Sequence, residues 1–198
     1  MKQITVSRTV FTLDELEPAA RDKAIETLRE AAWEDLDSDM VAEDLAGRFI
    51  ELATGEWVGA TSKKQLQDKY GIVIYWSVAY SQSDDAQISG TLDAETSPNL
   101  DWPDGVRMIA IRSNNYSGST VTWVDTDDDE RHYDGQALAD AQQMVNNLNS
   151  QLYREVRKLV EGYTSENYVI DCYNNYEDLQ RRFDATGKYA PPMFWAEV

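Results

Sequence analysis

The sequence predicts an α+β fold: a central antiparallel sheet packed by an N-terminal helix pair and a long C-terminal helix. Three observations carry this. Tyr70–Leu92 reads as two strands joined by a polar turn. Residues 12–55 hold two apolar stripes at helical spacing. Gln136–Gly162 holds a third and longer one.

In the first of these, Ile72, Ile74, Trp76, Val78 and Tyr80 alternate onto one face, while Val73, Tyr75 and Ala79 fill the other. A strand apolar on both faces is expected in the middle of a sheet. Ser81–Asp85 makes the turn, and Ala86, Ile88, Gly90 and Leu92 return as the partner strand.

From the N-terminus, Ile4, Val6 and Val10 begin a short strand. Thr12 and Glu15 have capping-box spacing, and Pro18 suits the first turn of a helix. Leu16, Ala20, Ala24 and Leu28, with Ile25 beside them, form its buried stripe. Asp35–Ser38 breaks the pattern. Val41, Leu45, Phe49 and Leu52 form the stripe of a second helix, which Gly55 ends. Lys63–Lys69 is a short basic helical turn before the central strand.

Thr96–Asp104, with two prolines, is an exposed loop. Val106–Arg112 and Ser119–Asp125 form a second hairpin, turning through Asn114, Asn115 and Gly118. Asp125–Glu130 is an acidic tip, and Arg131–Tyr133 a short return strand. In the long helix, Leu138, Ala141, Val145, Leu148, Leu152, Val156 and Leu159 keep a spacing of three to four. Ser165 caps a further helix. Leu179, Arg181 and Phe183 alternate into a last strand before the turn Asp184–Gly187. Met193, Phe194 and Trp195 in the tail either dock on the body or form a homodimer contact. The sequence shows no repeat and no linker, and residues 1–198 read as a single α+β domain.

Composition bounds the function. The chain has 198 residues, 42% hydrophobic, which is globular and not disordered. It holds no apolar run of membrane-spanning length and no signal-peptide core, so a cytoplasmic location is expected and no membrane partner. Cys172 is the only cysteine, which excludes an internal disulfide and a cysteine zinc site, and reads as a small buried residue on a helix. His132 is the only histidine, so any Ser-His-Asp or Cys-His system would have to use it, and nothing beside it marks a nucleophile. Phosphate-binding glycine loops and H-E-x-x-H or C-x-x-C patterns are absent. No catalytic residue and no cofactor is expected.

Asp125, Asp127 and Asp129 resemble the start of a calcium loop. However, Glu130 stands where glycine belongs and Gln136 where the closing glutamate belongs. They remain weak metal candidates. They motivate, with Asp84 and Asp85, an alternative reading as a metal-dependent hydrolase or nuclease. A third reading is an antitoxin-like accessory protein whose acidity serves solubility alone.

The net charge of −18 is the outlying feature. Such a chain repels nucleic acid and is drawn to basic surfaces. Glu26, Glu30, Glu34, Asp35, Asp37, Asp39, Glu43, Asp44 and Glu51 crowd the first two helices, and between Glu26 and Glu51 only Arg29 and Arg48 oppose them. Glu26, Glu30 and Glu34 are four apart and line one face. From Tyr70 to Val106 there is no Lys or Arg, and Asp84 and Asp85 form a secondary acidic cluster. The expected partner-binding residues are Glu26, Glu30, Glu34, Asp37, Asp39, Glu43, Asp44, Asp84 and Asp85. The expected partner is a basic host protein or nucleoprotein complex, with no direct nucleic-acid binding.

Several segments resemble a family of uncharacterised proteins of phages and mobile elements. The family opens with F-x-x-D-E-L-x-x-x-A-K-x-K-A. Here Phe11, Asp14, Glu15, Leu16, Ala20, Arg21, Lys23 and Ala24 take those places. Its central turn, F-W-S-Q-G-D-G-A-x-F-x-G, is similar to Tyr80–Gly90, although Ser83 and Asp85 replace both turn glycines. Leu152, Tyr153, Arg154, Glu161 and Tyr163–Ser165 resemble the C-terminal phrase I-Y-R-x-L-E-x-E-Y-x-x-L-T-S. The likeness continues through Asn174–Tyr176 and Phe183–Lys188. It implies a phage or prophage origin, one continuous fold, and no established reaction. Joined to the charge, it predicts an acidic inhibitor of a bacterial defence complex, of anti-CRISPR or anti-restriction type, acting in the host cytoplasm by occupying a surface built for nucleic acid.

Overall fold

A computed structural model describes residues 9–36, 38–78, 85–114, 118–124, 135–175 and 181–190. The fold is α+β, and a four-stranded antiparallel sheet packs against helices that include a long C-terminal one. The chain forms two compact units, residues 1–36 with 160–198, and residues 37–159.

The first unit contains a 3₁₀ turn (Leu13–Glu15), α1 (Pro18–Glu34), α5 (Glu166–Asn175) and a two-stranded ribbon of β5 (Arg182–Phe183) and β6 (Tyr189–Ala190). Glu15 closes the capping arrangement expected of it. Its Oε2 accepts from Thr12 N at 2.7 Å and from Thr12 Oγ1 at 2.9 Å. These two bonds, the backbone one foremost, hold the Glu15 carboxyl below its ordinary range. Pro18 opens α1 where its missing N–H costs nothing. The α1 stripe is buried as expected. Leu16, Ala20, Ala24, Ile25 and Leu28 pack with Leu13, Val169, Tyr173 and Phe183, so α1 covers α5 and the ribbon. Tyr173 ties these elements together. Its hydroxyl accepts from Leu13 N at 3.1 Å and donates to Arg181 O at 3.2 Å. Phe11 bridges to Phe183 through paired backbone bonds. The strand expected over residues 4–10 lies mostly outside the described residues, as does Leu179 of the last one. Ser165 caps α5, accepting from Tyr168 N at 3.3 Å. Cys172 is half-buried on that helix.

The second unit contains α2 (Ser38–Thr54), α3 (Lys63–Tyr70), β1 (Ile72–Ser77), β2 (Asp85–Asp93), β3 (Met108–Asn114), β4 (Gly118–Trp123) and α4 (Gly135–Tyr163) as far as residue 159. Strand order is β1-β2-β3-β4. Both expected hairpins are present, with Ile74 opposite Ile88 and Ile111 opposite Val121.

The position of β1 differs from expectation. Among the described strands it pairs with β2 alone and is an edge. Tyr75, in its middle, is 49% exposed. Ile72 alone is buried in this strand, while Val73, Ile74 and Trp76 are half-buried, and α3 packs on it. An apolar pattern on both faces therefore does not by itself place a strand in the middle of a sheet.

Gly90 interrupts β2 at φ +134°, and a Cβ there would collide with Gly71 O. In α2, Val41, Leu45 and Phe49 are fully buried, but Leu52 is half-buried and Ala53 takes its place in the core. Gly55 ends α2 in the left-handed region, donating to Glu51 O at 2.8 Å. In α4, Ala141, Val145, Leu148, Leu152 and Val156 are buried, while Leu138 and Leu159 are half-buried.

The helix α4 meets the sheet through carboxamides as well as apolar groups. Gln142 Nε2 donates to Ser119 O at 2.7 Å while its Oε1 accepts from Val121 N at 2.9 Å. The side chain therefore serves β4 as a neighbouring strand would, satisfying backbone groups that an open edge leaves bare.

Candidate functional site

The exposed acidic side of α1 is the clearest charged feature of the first unit. Burial of Ala20, Ala24, Ile25 and Leu28 turns Asp22, Glu26, Glu30 and Glu34 to solvent. These four are four residues apart, so successive carboxylates rise about 6 Å along the axis. Asp22 extends the line by one turn beyond the residues picked out in the sequence.

The line is not uniform. Arg29 Nη1 lies 2.7 Å from Glu26 Oε1, and Arg29 Nε donates to Thr164 O at 2.9 Å. The guanidinium is thus committed within the unit and offsets Glu26. Asp35 meets Arg181 at 3.7 Å. Glu30 and Glu34 carry no ion pair among the described residues and hold the uncompensated charge.

In the second unit, Asp39 and Glu43 are both exposed on the first turns of α2, and Asp44 is half-buried. Lys63 Nζ sits 2.7 Å from Asp39 Oδ1. This pair is open to water and so stabilises little. Glu51 is engaged by Arg48 at 2.6 Å. Glu43 is the α2 carboxylate that projects without an ion pair among the described residues.

Asp85 faces the protein. Its Oδ1 accepts from Ala86 N and its Oδ2 from Gln87 Nε2, both at 2.8 Å. With both oxygens engaged at the start of β2, it acts as a strand-end cap more than as a charge offered to a partner. A cavity of about 470 Å³ nevertheless brings Asp85 beside Ser38 and Lys63, so the start of α2 and the start of β2 share one surface. Lys63 stands in that cavity, which is therefore of mixed charge.

Asp37, Asp84, His132 and the weak metal candidates Asp125, Asp127 and Asp129 lie outside the described residues. Among the described residues, no group of three or more His, Cys, Asp and Glu is placed to hold a metal. No described helix is long and apolar enough to cross a membrane.

The exposed acidic helices offer an electrostatic field. Exposed carboxylates about 6 Å apart act together within one Debye length, about 8–10 Å near physiological salt. Comparison with known protein families, with functionally characterised proteins and with solved structures finds no match to this chain.

Proposed function

We propose that this chain is an acidic inhibitor of phage type that binds a basic surface used by a bacterial defence complex to hold nucleic acid. The carrying observation is the solvent-facing line Asp22–Glu26–Glu30–Glu34 on α1, with Glu43 projecting from α2. A helix holds charges at fixed spacing, which a loop does not. The magnitude qualifies the imitation. One DNA strand carries a charge about every 3.4 Å of axis, against about 6 Å along α1. The helix is therefore too sparse to match phosphates one for one. It competes for the same basic surface by its field.

Competition distinguishes this reading from mere solubility. The tagged protein is incubated with bacterial lysate at low salt, and retained proteins are challenged with duplex DNA. The proposal expects nucleic-acid-binding proteins that duplex DNA displaces. Retained proteins indifferent to the duplex, or none retained, contradict it.

A further inference from the structure

A separate pocket in the second unit has a different chemistry. Its volume is about 520 Å³, within the usual range for ligand sites. One wall is the segment around Trp102, and the other is a face of α4 that presents Asp140, Gln143, Asn147 and Gln151. Leu52, Met144 and Leu148 form an apolar floor.

The Trp102 wall is pre-organised. Trp102 Nε1 donates to Ser97 O at 2.9 Å. Ser97 is almost fully buried, and its Oγ donates to Asp93 O at 2.8 Å. Asn99 Nδ2 donates to Leu52 O at 3.1 Å, which fastens the same segment to the end of α2. A wall already held in place loses little freedom when a ligand arrives.

The hydrogen-bonding capacity left in the walls is mixed, with the Asn147 and Gln151 amides still able to donate, but the charge of the lining is negative. Several donors in the walls are already committed: the Trp102 indole to Ser97, the Asn99 amide to Leu52, and Gln143 Nε2 to Asn147 Oδ1 at 2.9 Å. The carboxylates of Asp101 and Asp140 and the Gln143 Oε1 carbonyl oxygen are acceptors, Asp140 Oδ1 already taking a bond from Gln136 Nε2 at 2.7 Å. Among the described residues, no cationic side chain lines the pocket. An anion is therefore repelled. The complementary group has donors for these oxygens, a positive charge and a flat face that stacks on indole. A guanidinium has all three properties.

We infer that this pocket accepts an arginine side chain of a basic partner protein. The guanidinium stacks on Trp102 and forks to Asp101 or Asp140, and its methylenes lie on Leu52, Met144 and Leu148. The identity of the partner as a basic protein rests on the function proposed above, whereas the pocket's preference for arginine does not.

The test is an NMR titration of the full chain with N-acetylarginine amide, with N-acetylcitrulline amide as the uncharged isostere and methyl glucoside as a neutral polar ligand. The expected result is saturable shifts of the Trp102 indole and of the Gln143 and Asn147 side-chain amides by the arginine compound. Citrulline should bind roughly tenfold more weakly, since it lacks the charge-assisted bonds. Asp101→Asn with Asp140→Asn, and separately Trp102→Leu, should each abolish saturation while the remaining spectrum stays native. Equal response to citrulline, a stronger response to methyl glucoside, or unchanged binding by the double variant would overturn the assignment. Charge reversal at Glu30, Glu34 and Glu43 should leave the titration unchanged, so the pocket and the helix face fail separately.

Discussion

Asn149 on α4 accepts a hydrogen bond from the backbone N–H of Ile88 on β2 at 3.1 Å, across a buried boundary. The pairing of β2 with β3 starts only at Gly90, opposite Ile111, so Ile88 has no strand partner on that side. Ser119 completes the repair. Its Oγ donates to Ile88 O at 2.8 Å, and Asn149 Nδ2 donates to that Oγ at 3.0 Å. Two side chains thus replace the missing strand at one residue.

Asn149→Leu should destabilise the protein by about 1–3 kcal/mol, because it leaves the buried Ile88 N–H unsatisfied. Exposed Asn146→Leu on the same helix should change stability by less than about 0.5 kcal/mol. Urea unfolding of both variants decides this, and equal midpoints would show that the Asn149 bond contributes nothing.

Gly90→Ala and Gly105→Ala separate conformational strain from collision. Both glycines have positive φ, +134° and +77°. A Cβ at Gly105 meets open space, whereas at Gly90 it meets backbone. Gly105→Ala should cost about 1–2 kcal/mol for the left-handed backbone alone. Gly90→Ala should add an overpacking cost of about 1–3 kcal/mol. Thermal midpoints in the reverse order would contradict the close approach of Gly71.

Glu15 makes stability depend on acidity. Its folded pKa is lowered by the Thr12 bonds, so its contribution is complete above the ordinary carboxylate value and is lost as pH falls through the lower folded value. Glu15→Gln should remove that part of the acid dependence without altering stability's slope near neutral pH. A carbon-detected titration of Glu15 should give a midpoint below that of an exposed glutamate, and an ordinary midpoint would remove the cap.

The elements were legible in the sequence because one period set each of them. The stripes of α1, α2 and α4 and the alternation of β2 mark buried faces directly. The edge position of β1 was not legible, since apolar residues such as Val73 and Ile74 say nothing of pairing. Asn149 reads as a surface residue in a helical pattern, and only the parting of β2 from β3 gives it a role.

In the candidate site, the outward turn of Glu30, Glu34 and Glu43 followed from the stripes opposite them. The pairing of Asp39 with Lys63 did not, because a contact over 24 residues leaves no periodic trace. The pocket at Trp102 depends on Asn99 reaching Leu52 over 47 residues, which the loop-like composition of that segment conceals.

The acidic helix faces are proposed to engage a basic partner. The most direct test is capture from bacterial lysate at two salt concentrations by wild type and by the Glu30→Lys, Glu34→Lys, Glu43→Lys variant, with circular dichroism to establish that both are folded. The substitutions are exposed and should leave folding intact. Wild type should retain nucleic-acid-binding proteins at low salt and lose most of them at high salt, and the variant should retain few at either, because steering scales with the opposing charge. The same proteins held equally by folded wild type and folded variant at both concentrations would contradict that engagement.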